Sequence, residues 1–159
     1  MKSNEKLLKT LNELLAEELT AISQYMVHSE MCDNWGYEKL HKAIEKQAVD
    51  EMHHAEWLIG RIIFVEGVPI VSNLRPMKIG KNVSEMVSND EEAELGAIQA
   101  YNVGIQLAGA VSDQSTADLF TTILKEEEEH YDWNKKQLAQ IEQISLENYL
   151  SNQTGAATE

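Results

Sequence analysis

Two short motifs, each with a glutamate three residues before a histidine, are the residues of this sequence best suited to chemistry. They are Glu51 with His54 and Glu127 with His130. Residues three apart lie on the same face of a helix, so each motif would present a carboxylate and an imidazole to one point. Carboxylate and imidazole are ligands of first-row divalent metals, and the two motifs therefore predict a metal site.

Two further glutamates, Glu18 and Glu94, stand where the helical pattern requires apolar residues. A buried carboxylate without a partner takes up a proton rather than stay charged, and four of them in one core would repel each other. Two divalent ions supply the missing positive charge, and oxygen with imidazole suits non-haem iron or manganese better than structural zinc. The predicted di-metal ligands, which are also the predicted catalytic residues, are Glu18, Glu51, His54, Glu94, Glu127 and His130.

An internal repeat supports this prediction. A shift of 76 positions carries the first three predicted ligands onto the last three, and it carries Tyr25 onto Tyr101. The sequence therefore predicts a pseudo-twofold bundle with one metal on each side of its axis. The two tyrosines have two candidate roles, as core residues hydrogen-bonded to ligand carboxylates or as electron donors.

The elements that carry these residues are long amphipathic helices, because apolar residues recur at steps of three and four and never at two. The stretch EGVPIVSNLRPMKIG contains both prolines and cannot be helical. We expect a first helix from about Ser3 to the Asn34-Trp35-Gly36 break and a second helix from near Tyr37 to Glu66. A third helix should begin at the capping box Asn82-Val83-Ser84-Glu85, and a fourth should follow a turn and cap at Ser112 to Ser115. A short fifth helix should cover LENYL, with Ser145 as its cap.

The connection lengths predict the topology. Links of a few residues join the first helix to the second and the third to the fourth, which makes each of these pairs antiparallel. The middle loop of roughly fifteen residues can reach up to ~50 Å, which exceeds the ~42 Å of a helix of about 28 residues. We therefore expect an all-α four-helix bundle with one long crossover and a short fifth helix, forming one domain over 1–159 with a disordered tail from about residue 152.

The composition restricts the partners that this protein can bind and the location that we expect for it. Lys and Arg number 13 against 27 Asp and Glu, which gives a net charge of −14 and argues against nucleic acid or anionic membranes as partners. One cysteine, Cys32, excludes an internal disulfide and a cysteine-built metal site. No stretch is apolar enough for a signal peptide or a membrane span, so we expect a cytoplasmic protein.

The sequence resembles the ferritin-like di-iron carboxylate proteins, and more closely the bacterioferritins, from Leu11 to Leu150. The segments that carry the resemblance are AEELTAISQY, VDEMHHAEWLIGRIIFVEGVP, LRPMKIG and EEEEHYDWNKKQL. It implies that the six predicted ligands form a ferroxidase site, where dioxygen or peroxide oxidises ferrous iron. It also implies a homo-oligomeric shell of twenty-four subunits, built of dimers, that stores ferric mineral, with a ferredoxin-type reductant as partner.

Met52 carries a second implication of the resemblance. It follows Glu51 directly, so it points about 100° away from the metal seam, towards an outer face. Bacterioferritins place a b-type haem at a twofold subunit contact, with one such methionine from each subunit as axial ligand. A helical methionine by itself more often indicates packing.

Other matches to the family are partial. Some members build an extra iron site on the cavity wall with a histidine four positions before the Asp50 equivalent, where this chain has Lys46. A lysine cation offers no lone pair, so we expect no such inner site. Asn34, Glu66 and Asp132 match residues that line a shell pore in the family.

Four alternatives share parts of the pattern. A rubrerythrin-like peroxidase has the paired motif but normally also a rubredoxin-type cysteine site. A DNA-protecting mini-ferritin builds its iron site between subunits and usually has a basic tail, whereas this sequence ends in Glu159. A purely structural bundle would leave four charges in its core, and iron-dependent oxygenases or ribonucleotide-reductase subunits are generally longer.

Overall fold

A computed structural model describes residues 4–155, and this part of the chain is built of helices without strands. The elements are α1 (Glu5–Asn34), α2 (Glu38–Phe64), α3 (Val83–Ala110), α4 (Gln114–Ile144) and the short α5 (Leu146–Ser151). The predicted four long helices and short fifth helix are confirmed. Ser3, the expected first helical residue, lies outside the described residues, as do 156–159 of the predicted tail. Within the described part of that tail, the Gln153 carbonyl accepts a hydrogen bond from the Lys39 N–H at 3.2 Å.

Polar side chains cap α1, α3, α4 and α5, whereas Tyr37 at the start of α2 makes no such hydrogen bond; the caps of α3 and α5 are those that the sequence predicts. Asn4 accepts hydrogen bonds from two backbone N–H groups of the first turn of α1. Asn82 caps α3 through the Glu85 N–H at 2.9 Å, and Asp113 caps α4. The Ser145 side chain caps α5 through the Asn148 N–H. These bonds satisfy N–H groups that have no partner inside the helix.

The bundle core consists of two apolar clusters. One contains Leu11, Leu58 and Phe120, and the other contains Ile44 and Val87. Along every long helix, the predicted metal ligands lie between residues of the first cluster and residues of the second. Apolar packing on both sides of the predicted ligands along the bundle axis therefore holds the helices so that the charged side chains meet.

The crossover, residues 65–82, runs along α1 and is held there by a row of hydrogen bonds. Its backbone N–H groups donate to α1 side chains whose spacing places them on one helix face. The pairs, at 2.8 to 3.0 Å, are Ile70 to Asn12, Arg75 to Thr20, Lys78 to Gln24 and Gly80 to His28. Because the crossover follows α1 from its first turns to its last, α3 begins at the end where α2 began. The parallel arrangement of α2 and α3 is confirmed.

None of the helices in the described range 4–155 is long and apolar enough to cross a membrane.

Gly80 lies at the close contact between the crossover and α3. A Cβ at this position would lie 2.4 Å from the Met86 backbone nitrogen, so we expect Gly80→Ala to lower the free energy of unfolding by about 1–3 kcal/mol through overpacking. Gly60, inside α2, has open space around its Cα, so the control Gly60→Ala should raise the free energy of unfolding by about 1 kcal/mol. Chemical unfolding of both variants measures the free energy of unfolding. If Gly80→Ala were stabilised as much as Gly60→Ala, the close contact at Gly80 would be contradicted.

Candidate metal centre

The structure brings all six predicted ligands together in the bundle interior. Four are glutamates with 1 to 3% of their surface exposed, and the two histidines are 0 and 6% exposed. Their ligand atoms form two overlapping groups, each within 4.8 Å. The first contains Glu18 and His54, the second contains Glu94 and His130, and both contain Glu51 and Glu127. We call this set the six-residue site, and its geometry suits two ions that share Glu51 and Glu127.

The two imidazoles turn the same ring nitrogen towards the site. His54 Nδ1 lies 2.9 Å from Glu51 Oε2 and 2.8 Å from Glu127 Oε1. His130 Nδ1 lies 3.2 Å from Glu51 Oε1 and 3.6 Å from Glu94 Oε1. Nδ1 is thus the nitrogen that would meet a metal ion at each histidine.

Two acids that the sequence analysis did not assign to the site support the histidines from outside. His54 Nε2 lies 2.7 Å from Glu126 Oε2, and His130 Nε2 lies 3.0 Å from Asp50 Oδ2. Such a carboxylate keeps the hydrogen on Nε2, orients the ring and makes Nδ1 a better ligand. The repeat contained the signal, because the same 76-residue shift carries Asp50 onto Glu126.

The two tyrosines hold one ligand carboxylate each. The Tyr25 hydroxyl donates to Glu94 and the Tyr101 hydroxyl donates to Glu18, both by short hydrogen bonds. Burial, with the charges of nearby glutamates, raises the pKa of both hydroxyls well above the usual value for tyrosine. Both tyrosines therefore remain protonated donors at neutral pH.

Burial also changes the acidity of the glutamates. It raises the pKa of Glu51 and of Glu127 well above the usual range, and the charges of neighbouring glutamates add to the effect. Burial alone would raise the pKa of Glu94, but hydrogen bonds with Glu127 and His130 lower it below its usual value. The two carboxyls that both groups share are thus the ones that retain protons in the absence of metal.

Burial acts on the pKa of the histidines in the opposite direction, but contacts with carboxylates outweigh it. Burial alone would lower the pKa of His54, but hydrogen bonds to Glu127, Glu18 and Glu51 raise it far above its usual value. At His130 the hydrogen bond to Glu94 and the charge of that carboxylate overcome burial and raise the pKa to about 9. Protons on imidazoles and carboxyls therefore balance the charge of the metal-free site.

Several buried polar atoms in and beside the site have no hydrogen-bond partner in the described part of the chain. Glu94 Oε2 belongs to the site itself. Gln47 Oε1 and both polar side-chain atoms of Asn134 lie one helical turn from it, on α2 and α4. Buried polar atoms require a partner, so the Glu94 oxygen is free to bind a cation, while the amides are suited to bind water.

A cavity of about 220 Å³ leads from the surface beneath the crossover to the site. It is lined by Glu18, Tyr25 and Glu94 at its inner part and also by Arg75 and Lys78 of the crossover. Both cations are paired with acids of the same cavity, Arg75 with Glu17 at 3.1 Å and Lys78 with Glu92 at 2.6 Å. The cavity makes the six-residue site accessible to small ions and oxidants.

The other residues singled out from the sequence lie outside the site. Lys46 Nζ is 2.9 Å from Asp50 Oδ2, so the ammonium group that argues against an inner metal site lies beside Asp50. Met52 is 41% exposed on α2. Asn34, Glu66 and Asp132 are exposed, and Asp132 is paired with Lys136.

Comparison with known proteins identifies relatives over almost the whole chain. A family model described as a ferritin-like domain matches residues 8–153. The bacterioferritin of Brucella melitensis is 36% identical over 149 residues, which are 94% of this chain and 92% of that protein. The bacterioferritin of Streptomyces coelicolor is 39% identical over 151 residues, with 95% and 90% covered. A bacterial ferritin of Synechocystis is 40% identical over 154 residues, with 96% and 99% covered.

Metal binding to the six-residue site should release protons. The raised pKa values of Glu51, Glu127, His54 and His130 mean that incoming cations must displace protons from them. We expect anaerobic addition of ferrous iron at about pH 6.5 in weak buffer to acidify the solution. The affinity of the site for ferrous iron should rise as the pH increases. Exposed Glu56 is the control, and Glu56→Gln should leave the release unchanged. A titration without acidification would contradict the protonated state of the metal-free site.

Proposed function

This chain belongs to the bacterioferritins of the ferritin-like family, and from that relationship we propose that it oxidises ferrous iron at the six-residue site and stores the ferric product in a shell of its own subunits. Membership of the family supports iron storage as the general function. The ferroxidase step rests on the site, and the shell rests on the relatives.

The observation that carries the proposal is the pair of overlapping ligand groups that share Glu51 and Glu127. Two ferrous ions bound there would lie close together and could deliver two electrons to one molecule of dioxygen or peroxide. Four carboxylates balance the charge of two ferrous ions and stabilise the ferric state even more. The neutral imidazoles of His54 and His130 complete the ligand set without adding negative charge.

The chain's own residues also control protons and geometry at this site. Glu126 and Asp50 keep hydrogen on the outer nitrogens of the imidazoles, so that the inner nitrogens can bind iron. Tyr25 and Tyr101 hold Glu94 and Glu18 in place through their hydroxyls. The charged core makes a structural bundle without metal unfavourable, and a single cysteine gives no support to the rubrerythrin-like peroxidase.

The cellular setting that we propose follows the relatives. The functional particle would be a homo-oligomeric shell of twenty-four subunits built of dimers, located in the cytoplasm. A net charge of −14 per chain repels nucleic acid and attracts ferrous ions, which fits a store of iron better than a DNA-protecting mini-ferritin. A ferredoxin-type reductant would mobilise the mineral.

The surface around Met52 fits a haem as the predicted cofactor. Met52 lies in a groove whose walls include Ile22, Met26, Ala48 and Val49, and its thioether is a soft, neutral ligand of the kind that haem iron accepts. When bound, a b-type haem would carry electrons between an external reductant and the stored iron. The apolar walls suit the porphyrin faces, and one groove from each of two subunits would make the complete site.

Removing a ligand of the six-residue site should abolish rapid oxidation. We expect Glu51→Ala and His130→Ala to slow the fast phase of ferrous oxidation by ~10–100-fold or more. Mutating a residue that only supports a metal ligand already costs this much. Stopped-flow absorbance measures the rate, and anaerobic titration should show two ferrous ions bound at this site per chain in the unchanged protein.

The matched controls are Glu56→Ala and His53→Ala, which remove an exposed glutamate and an exposed histidine from the same helix. Both should retain the fast phase. A fast phase that survives Glu51→Ala and His130→Ala would refute the ferroxidase assignment.

Met52→Leu tests the haem separately from iron oxidation. After expression with a haem precursor, the unchanged protein should show reduced cytochrome bands in its visible spectrum. We expect Met52→Leu to lose these bands, because leucine has no sulfur to bind the iron, while particle mass and ferrous oxidation stay the same. Met26→Leu, in the same groove, is the control. Persistence of the bands in Met52→Leu would make Met52 a packing residue.

A further inference from the structure

A second group of potential metal ligands lies on the surface between α1 and α2, apart from the six-residue site. It consists of Glu30 near the end of α1 and of His41 and Glu45 on the first turns of α2. One ligand atom from each side chain lies within 4.8 Å of the others. The helices are antiparallel here, so one carboxylate faces an imidazole and a carboxylate that are one turn apart on the neighbouring helix. We call this group the Glu30 cluster.

A metal ion at the Glu30 cluster would meet the Nε2 atom of His41. The other ring nitrogen, Nδ1, lies 2.9 Å from the Ser29 hydroxyl oxygen and 3.1 Å from the Ser29 backbone carbonyl oxygen. When Nδ1 carries the hydrogen, it donates to this carbonyl, and the Ser29 hydroxyl can donate to the His41 carbonyl at 3.2 Å. In that tautomer the lone pair is on Nε2, and a backbone carbonyl on the other nitrogen is a support that metal-binding histidines usually have.

The separation of the ligand atoms matches a shared ion better than a direct contact. His41 Nε2 lies 3.6 Å from Glu45 Oε2, which is too long for an N–H···O hydrogen bond. Two atoms that each bind one ion at about 2.1 Å, at angles of 90 to 120°, lie about 3.0 to 3.6 Å apart. The observed distance leaves room for an ion between imidazole and carboxylate.

The carboxylates of the Glu30 cluster lack a permanent positive partner among the described residues, because the contact of Glu45 with His41 is an ion pair only when the imidazole is protonated. Among residues 4–155, no lysine or arginine forms an ion pair with Glu30 or Glu45. Two carboxylates close to each other on a chain of net charge −14 attract a divalent cation. One imidazole and two carboxylates are a donor set for first-row divalent metals rather than for Mg²⁺ or Ca²⁺, which prefer oxygen alone.

We propose that Glu30, His41 and Glu45 bind one divalent transition-metal ion, with water in the remaining positions. The site is independent of the six-residue site and of the ferroxidase activity proposed above. Glu30 and Glu45 also line the groove that contains Met52, so a bound ion neutralises the two charges at the edge of an otherwise apolar surface.

The test compares the number of bound ions between variants of the assembled, metal-free protein. Equilibrium dialysis against Zn²⁺ alone should give one ion fewer per chain for His41→Ala and for Glu45→Gln than for the unchanged protein. The matched control is His53→Ala, because His53 Nδ1 and Glu56 Oε2 form an exposed pair on the same helix at 4.0 Å without a third ligand. His53→Ala should bind as many ions as the unchanged protein.

Cobalt separates this site from the six-residue site. With Co²⁺ as the probe, we expect visible absorption bands that disappear in His41→Ala and remain in His130→Ala. Bands that remain in His41→Ala and disappear in His130→Ala would belong to the six-residue site and would count against the proposal. Equal Zn²⁺ counts in His41→Ala, Glu45→Gln and the unchanged protein would overturn the proposal, whatever the six-residue site does.

Discussion

Four carboxylates in the core of one small bundle are the constraint on which the rest of this structure depends. Their mutual repulsion and their loss of hydration would unfold the bundle unless something neutralises them. In the metal-free chain, protons do so: burial raises the pKa of Glu51 and Glu127, and the imidazoles retain their protons as well. Two divalent ions bound to the six residues would replace these protons. The proposed metal binding would therefore exchange one kind of positive charge for another without exposing the core.

The same residues join the two halves of the molecule. The first hairpin, α1 with α2, and the second hairpin, α3 with α4, each supply half of the six ligands. Every hydrogen bond that supports a ligand from outside comes from the opposite hairpin. These pairs are Tyr25 with Glu94, Tyr101 with Glu18, Glu126 with His54, and Asp50 with His130. The pseudo-twofold repeat thus has a physical consequence, because each half orients the predicted metal ligands of the other.

The outer face of the first hairpin has a different chemistry from the interior. Met52 and its apolar neighbours form a shallow groove, and the carboxylates of Glu30 and Glu45 stand at its edge. Because Glu51 and Met52 are adjacent on one helix, α2 presents a predicted metal ligand and a predicted haem ligand on two faces about 100° apart. In the function proposed above, one helix would serve iron oxidation inside the bundle and electron transfer at its surface.

The sequence by itself determined the helices, the caps of α3 and α5, the parallel crossover and the set of six converging residues. Periodicity, turn residues and loop length are local properties, and Glu18 and Glu94 were recognisable because charge interrupts an apolar seam. Only the tertiary structure decided that both ligand groups share Glu51 and Glu127, and that Glu126 and Asp50 hold the imidazoles. It also decided the meeting of Glu30 with His41 and Glu45. These relations depend on the rotation and height of neighbouring helices, which packing of side chains sets and which no single helix encodes.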